Sequence, residues 1–124
     1  MSPSPVRFDI SAVPSPCFVI DTALLERNLK ILDTVQGRTG CKILLALKGF
    51  APFALFPLIR SYLCGVSAAS PDEARLGYED FGGEVHVCAP AYREEDLDDI
   101  LYWADHLVFN SFSQWHRFRA RVRS

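Results

Sequence analysis

No charge of either sign dominates this sequence. Its 124 residues include 13 Lys and Arg against 15 Asp and Glu, a formal net charge of −2. A dedicated nucleic-acid binder carries a basic excess, because contacts to phosphate supply much of its affinity. We therefore expect no nucleic-acid partner. The terminal arginines, Arg117, Arg119, Arg121 and Arg123, are interpreted as a solvated end of the chain.

Motifs for nucleotides and metals are also missing. The sequence has neither G-x-G-x-x-G nor G-x-x-x-x-G-K-[ST], the glycine-rich patterns that hold phosphates. Its three histidines, His86, His106 and His116, lie 20 and 10 residues apart, so they form no i, i+4 pair. We predict packed or surface histidines and no metal site.

The sequence also lacks a membrane segment and a cysteine framework. Residues 43–59 are apolar but are interrupted by Lys48, Gly49 and two prolines, which argues against a membrane span. The four cysteines form no C-x-x-C pair, which favours buried thiols in a reducing cytoplasm. Residues 1–15 are rich in proline and have no apolar core of a signal peptide, so we predict a flexible lead-in.

Short apolar runs alternate with longer amphipathic segments over the rest of the chain. These runs are too short for helices and too uniformly apolar for a one-sided antiparallel sheet, so they predict parallel strands covered on both faces. They occupy residues 17–20, 43–47, 65–69, 85–89 and 107–109.

Helix-capping signals follow several of these runs. Ser70-Pro71-Asp72-Glu73 combines an N-cap Ser, Pro at the first helical position and Glu three residues after the cap. Ser111 and Gln114 repeat that spacing, and Asp21 precedes an amphipathic segment. The repeating unit is therefore strand, loop, helix.

Two α/β architectures fit this repeat. Five strands with helices in about 125 residues make a complete flavodoxin-like doubly wound sheet, whereas a (β/α)8 barrel needs eight units and about 250 residues. Both place their sites at the carboxyl ends of the strands. There we expect Asp21, Lys48, residues 67–70 and 90–92, and Asn110 with Ser111.

Lys48 is the only ionisable residue in the 17 positions from 43 to 59. It follows a predicted buried strand, immediately before Gly49. An ammonium group is costly to desolvate there, and a positioned neutral amine is what imine chemistry requires. The alternative is a structural lysine that extends to solvent or pairs with a carboxylate.

Five segments in register resemble carboxynorspermidine decarboxylase, within the wider group that includes the ornithine and diaminopimelate decarboxylases. The resemblance covers nearly everything after the lead-in. The segments are PCFVIDTALLERNL from Pro16, LLALKGFA from Leu44, GVSAASPDEARLG from Gly65, FGGEVHVCAPAY from Phe81 and HLVFNSFSQ from His106.

This resemblance implies a pyridoxal 5'-phosphate enzyme that decarboxylates carboxynorspermidine or carboxyspermidine to norspermidine or spermidine. It implies the N-terminal half of an alanine-racemase-like barrel over residues 16–124, with strand 17–20 as an entry segment and a homodimer as the full-length form. Lys48 matches the family lysine that binds the cofactor covalently. Ala46, Ser67 and Ser70 are predicted to line the cofactor side.

The family's remaining cofactor and substrate groups match no position in this sequence. The acidic partner of the pyridine nitrogen and the glycine-rich phosphate site belong to later parts of the family chain. Half a barrel exposes strand edges and apolar lining, so we expect the chain alone to aggregate, remain molten or bind a partner chain. We expect little or no decarboxylase activity from it.

Overall fold

The computed structural model describes residues 8–122, so residues 1–7 of the predicted lead-in and Arg123 lie outside it. The strands are β1 Leu44–Ala46, β2 Gly65–Ala68, β3 Glu84–Cys88 and β4 His106–Val108. The α-helices are α1 Thr22–Thr39, α2 Phe56–Arg60, α3 Pro71–Leu76, α4 Leu97–Trp103 and α5 Phe112–Val122. Short 3-10 turns at Ile10–Ala12 and Phe53–Leu55 and a π-helical turn at Gly77–Phe81 complete the elements.

The four strands form one parallel sheet in chain order, β1-β2-β3-β4. A doubly wound sheet requires a reversal of strand order, and this sheet has none among the described residues. The order is that of consecutive (β/α) units in a barrel, which confirms the barrel interpretation and rules out the flavodoxin-like alternative.

The predicted caps are in place. One carboxylate oxygen of Asp21 accepts hydrogen bonds from the backbone N–H groups of Ala23 and Leu24 at 2.9 and 3.0 Å, which satisfies free amides of the first turn of α1. That helix ends at Gly40, whose φ of 72° is in the left-handed region. Ser111 caps α5 by accepting from the N–H of Gln114 at 3.3 Å.

The hydrophobic core lies between the sheet and the helices. Val66, Val85 and Val87 point into it from the two central strands, and Phe56 and Phe81 meet edge to face with ring centroids 5.4 Å apart. Burial of such side chains is worth about 1.5–3 kcal/mol each, so this layer holds the helices to the strands.

The opposite face of the sheet is open. Burial alternates along β3, with Val85 and Val87 buried and Cys88 exposed, and the side chains of Ala46 and His106 are exposed too. The expectation of strands covered on both faces is therefore wrong for this chain. The physical reason is that the helices pack on one side only, as they do outside a barrel.

Residues 17–20 form no strand. They run without regular structure between the 3-10 turn and α1, and Phe18 is fully exposed. A strand there would need a neighbour in the sheet, and none of the three strand pairings includes residues 17–20. The prediction of a buried strand in this segment is wrong.

The predicted burial of the thiols is also wrong. All four cysteines are free, but Cys17, Cys41 and Cys88 are exposed and Cys64 is half-buried. Cys88 is exposed because it lies on the open face of β3. Of the helices within residues 8–122, none is long and apolar enough to span a membrane.

The terminal arginines are not simply a solvated end. Arg117 and Arg121 lie one turn apart on α5, where Arg117 contacts Glu94 at 2.6 Å and Arg121 pairs with Asp98. These ion pairs join α5 to the start of α4. Arg119 is exposed.

Gly65 is required by the close approach of β2 and β3. A Cβ atom at this position would lie 2.2 Å from the backbone carbonyl oxygen of Glu84, so any side chain must push the two strands apart. Gly37, in the interior of α1, has no atom within 4 Å of its Cβ position.

We predict that Gly65→Ala lowers the free energy of unfolding by about 1–3 kcal/mol, through the strain of overpacking. Gly37→Ala is the matched control and should raise it by roughly 0.5–1 kcal/mol, since Ala is a better helix former than Gly. Urea unfolding followed by circular dichroism measures both. Equal effects of the two substitutions would contradict the close approach of the strands.

Candidate active site

A row of four side chains crosses the open face of the sheet. The strand register places Ala46 beside Ser67, Ser67 beside His86, and His86 beside His106. Residues in register on parallel strands point to the same face. Two of the predicted cofactor residues, Ala46 and Ser67, are therefore neighbours on the open face, and both are small.

Lys48 lies two residues beyond Ala46, at the carboxyl end of the sheet. The strand β1 ends at Ala46, and Lys48 lies in the following turn, which is closed by a hydrogen bond from Gly49 N–H to the Ala46 carbonyl at 3.0 Å. The predicted position at a strand end is correct. The predicted desolvation is wrong, because Lys48 is exposed in this chain.

Pro52 and Pro57 explain the shape of the segment after Lys48. Pro52 precedes the 3-10 turn, and Pro57 lies in the first turn of α2. Proline is tolerated there because the N–H groups of a first turn have no helical partner. The apolar segment is therefore divided into a strand, a turn that carries Lys48, a 3-10 turn and a short helix.

Ser70 lies apart from the row on the sheet. Its hydroxyl accepts from the N–H of Glu73 at 3.2 Å, while a Glu73 carboxylate oxygen accepts from the N–H of Ala69 at 2.6 Å. Ser70 lines a cleft of about 400 Å³ beside α3 and the loop before α4, together with Asp72 and Tyr92. The capping role of Ser70 is confirmed.

Tyr92 lies on the rim, by which we mean the loops at the carboxyl ends of the strands. The sequence did not reveal its role there. Its buried hydroxyl accepts from Ala89 N–H at 3.1 Å, and it lies 2.7 Å from the carbonyl oxygen of Val108 and 3.1 Å from that of Val87. Burial raises the pKa of this hydroxyl. Tyr92 thereby joins the carboxyl ends of β3 and β4.

Gln114 reinforces this rim. Instead of completing the capping box, its side chain accepts from the backbone N–H of Tyr92 at 3.0 Å and donates to the carbonyl of Pro90 at 2.8 Å. Asn110 also donates to Pro90, at 3.4 Å. The loop that follows β3 is thus held by the residues that follow β4.

A cluster of Glu84, His86 and His106 on the open face was also missed. A carboxylate oxygen of Glu84 lies 3.0 Å from Nε2 of His86, and the rings of His86 and His106 stack with centroids 4.2 Å apart. Hydrogen bonds from Lys42 and His86 lower the pKa of Glu84 to about 2, so it stays ionised. The E-x-H alternation placed Glu84 and His86 on one face, but only the strand register brings in His106.

These features define a class: consecutive parallel (β/α) units of the barrel type, with a lysine at the carboxyl end of the first strand. No family model matches the chain. It is 50% identical to a carboxyaminopropylagmatine decarboxylase of Synechocystis sp. over 115 residues, which cover 93% of this chain and 30% of that protein. It is 40% identical over 110 residues to a carboxynorspermidine/carboxyspermidine decarboxylase of Herminiimonas arsenicoxydans, covering 89% of this chain and 30% of that relative.

The fold gives the same relationship. A crystal structure of carboxynorspermidine decarboxylase from Campylobacter jejuni, complexed with norspermidine, matches with a TM-score of 0.79 and 34% identity. The match covers 82% of this chain and 28% of that one. The chain is therefore a relative of the carboxynorspermidine decarboxylases in sequence and fold, which confirms the resemblance. It spans about 30% of the length of the curated relatives it matches.

We predict that Tyr92→Phe lowers the free energy of unfolding by about 1–3 kcal/mol, because it leaves the Ala89 N–H and the Val108 carbonyl without their partner. Tyr102→Phe is the control, since Tyr102 is largely exposed, and it should change stability by less than about 0.5 kcal/mol. Thermal melts of the two variants provide the comparison. A Tyr92→Phe variant as stable as the Tyr102→Phe control would show that the rim does not depend on this hydroxyl.

Proposed function

We propose that this chain carries the cofactor lysine of a pyridoxal-phosphate-dependent decarboxylase of polyamine biosynthesis. The observation that carries the proposal is the position of Lys48, at the carboxyl end of β1 in a fold that matches carboxynorspermidine decarboxylase. Active sites of (β/α) barrels lie at that end of the strands. In this proposal Lys48 binds the cofactor covalently through its amine.

The open face of the sheet fits such a cofactor. The neighbouring side chains Ala46 and Ser67 are small, so a flat ring has room beside them, and the exposed amine of Lys48 is accessible to an aldehyde. When bound, pyridoxal phosphate supplies an electron sink for the carbanion left by loss of carbon dioxide. The chain's own part is to hold the ring through Lys48 and to provide this surface.

The two serines have different parts in the proposal. Ser67 is half-buried on the sheet, one strand away from Ala46, and we propose that its hydroxyl contacts the ring side of the cofactor. The Ser70 oxygen already accepts a hydrogen bond from Glu73, but its own proton remains able to donate. We propose that Ser70 donates to a cofactor oxygen at the rim.

The substrate proposed is a polyamine precursor that carries a carboxyl group next to an amine. The names of the relatives support this chemistry, since they are decarboxylases of carboxynorspermidine, carboxyspermidine and carboxyaminopropylagmatine. We propose carboxynorspermidine or carboxyspermidine, giving norspermidine or spermidine. The full-length form is proposed to be a cytoplasmic homodimer, and the four free thiols, three of them exposed, fit a reducing compartment.

We predict that pyridoxal phosphate followed by borohydride reduction labels Lys48 in preference to the other two lysines, Lys30 and Lys42. Lys30 and Lys42 form ion pairs with Glu26 and Glu84, and their reaction with an aldehyde must first break these pairs, which also raise the pKa of both amines. Peptide mapping by mass spectrometry locates the label.

The matched controls are Lys48→Arg and Lys30→Arg, which both keep a positive charge. Lys48→Arg should lose most of the label, whereas Lys30→Arg should retain it. A label spread evenly over the three lysines would contradict the assignment of Lys48.

We predict little or no carbon dioxide release when the purified chain and pyridoxal phosphate are given carboxynorspermidine, carboxyspermidine or carboxyaminopropylagmatine. The reason is that the open face leaves a bound substrate exposed to water, and water weakens the electrostatic interactions that stabilise charge during the reaction. A coupled assay for carbon dioxide measures the rate. Sustained turnover would show that the four-stranded sheet suffices.

A further inference from the structure

The cluster of Glu84, His86 and His106 brings three metal-binding side chains to one place on the open face. Glu84 and His86 are two residues apart on β3, so their side chains share a face, and His106 is directly opposite His86 on β4. One ligand atom from each of the three residues lies within 4.8 Å of the others. Both strands are anchored by the core beneath them.

The spacing of two of these atoms is already close to that of a metal site. Zinc binds His nitrogen and carboxylate oxygen at about 2.0–2.2 Å, so tetrahedral ligand atoms lie about 3.4 Å apart. The Glu84 carboxylate oxygen and His86 Nε2 are 3.0 Å apart. A metal bound by both would replace the proton that they share, and the exposed His106 side chain would have to rotate to bring its nitrogen from within 4.8 Å to a ligand position.

The two carboxylate oxygens of Glu84 have separate partners. Oε1 pairs with the Lys42 ammonium, while Oε2 faces His86. Lys42 therefore holds the carboxylate in position without occupying the oxygen that faces the histidine. This arrangement resembles the support that metal-binding carboxylates receive from neighbouring hydrogen-bond donors.

We propose that Glu84, His86 and His106 bind a divalent transition-metal ion of the zinc type. Two imidazoles and one carboxylate are a donor set that suits zinc, and three protein ligands leave a fourth position for water. The ion joins β3 to the edge strand β4 on the face that the core does not cover. This site lies on the same open face as Ala46 and Ser67, with His86 beside Ser67. It is argued from the geometry of the three side chains and does not rest on the proposed decarboxylase function.

The first test uses the chain without substitutions, and its four thiols are carbamidomethylated so that cysteine does not bind the ion. Diethylpyrocarbonate acylates the three histidines with and without one equivalent of Zn²⁺, and mass spectrometry measures each rate. We expect Zn²⁺ to slow acylation of His86 and His106 at least tenfold and to leave the exposed His116 on α5 unchanged. Equal protection of all three histidines, or protection of none, would overturn the proposal.

The second test is a titration of the same blocked chain with Co²⁺, followed by visible absorption. We expect one equivalent to bind, with affinity reduced at least tenfold in Glu84→Gln and in His106→Asn. His116→Asn is the matched control and should bind like the unaltered chain. Unchanged affinity in both cluster variants would overturn the proposal, and the acylation rates decide the matter if a variant fails to fold.

Discussion

The arrangement of the site follows from the pairing of four parallel strands in chain order. Each crossover returns the chain in the same direction, so the carboxyl ends of all four strands lie at the same end of the sheet. That end therefore gathers Lys48, Ser70, Tyr92 and Asn110 from segments far apart in the sequence. The helices cover one face of the sheet, and the other face remains open with Ala46, Ser67, His86 and His106 in one row.

The rim is held by side chains rather than by further strands. The buried hydroxyl of Tyr92 joins the ends of β3 and β4. The side chain of Gln114, at the start of α5, holds the loop that follows β3. These hydrogen bonds fix the two loops to each other and to the ends of the strands that they follow. Lys48 has a different setting, since it lies in an exposed turn after β1, the strand farthest from β4 in the sheet.

The sequence predicts local features of this fold well. The caps at Asp21, Ser70 and Ser111 were predictable because each depends on a few adjacent residues. Which face of the strands the helices cover was not predictable, since an apolar run does not indicate which of its faces packs against a partner. For the same reason residues 17–20 were wrongly predicted as a strand, and the meeting of His86 with His106 depends on a register that spacing along the chain does not reveal.

The proposed function depends above all on Lys48 holding the cofactor on the open face of the sheet. A crystal structure of the chain with pyridoxal phosphate is the decisive experiment. We expect continuous electron density between Nζ of Lys48 and the cofactor, with the ring on the face that carries Ala46 and Ser67. Density joined to Lys30 or Lys42, or a ring on the face covered by helices, would contradict it.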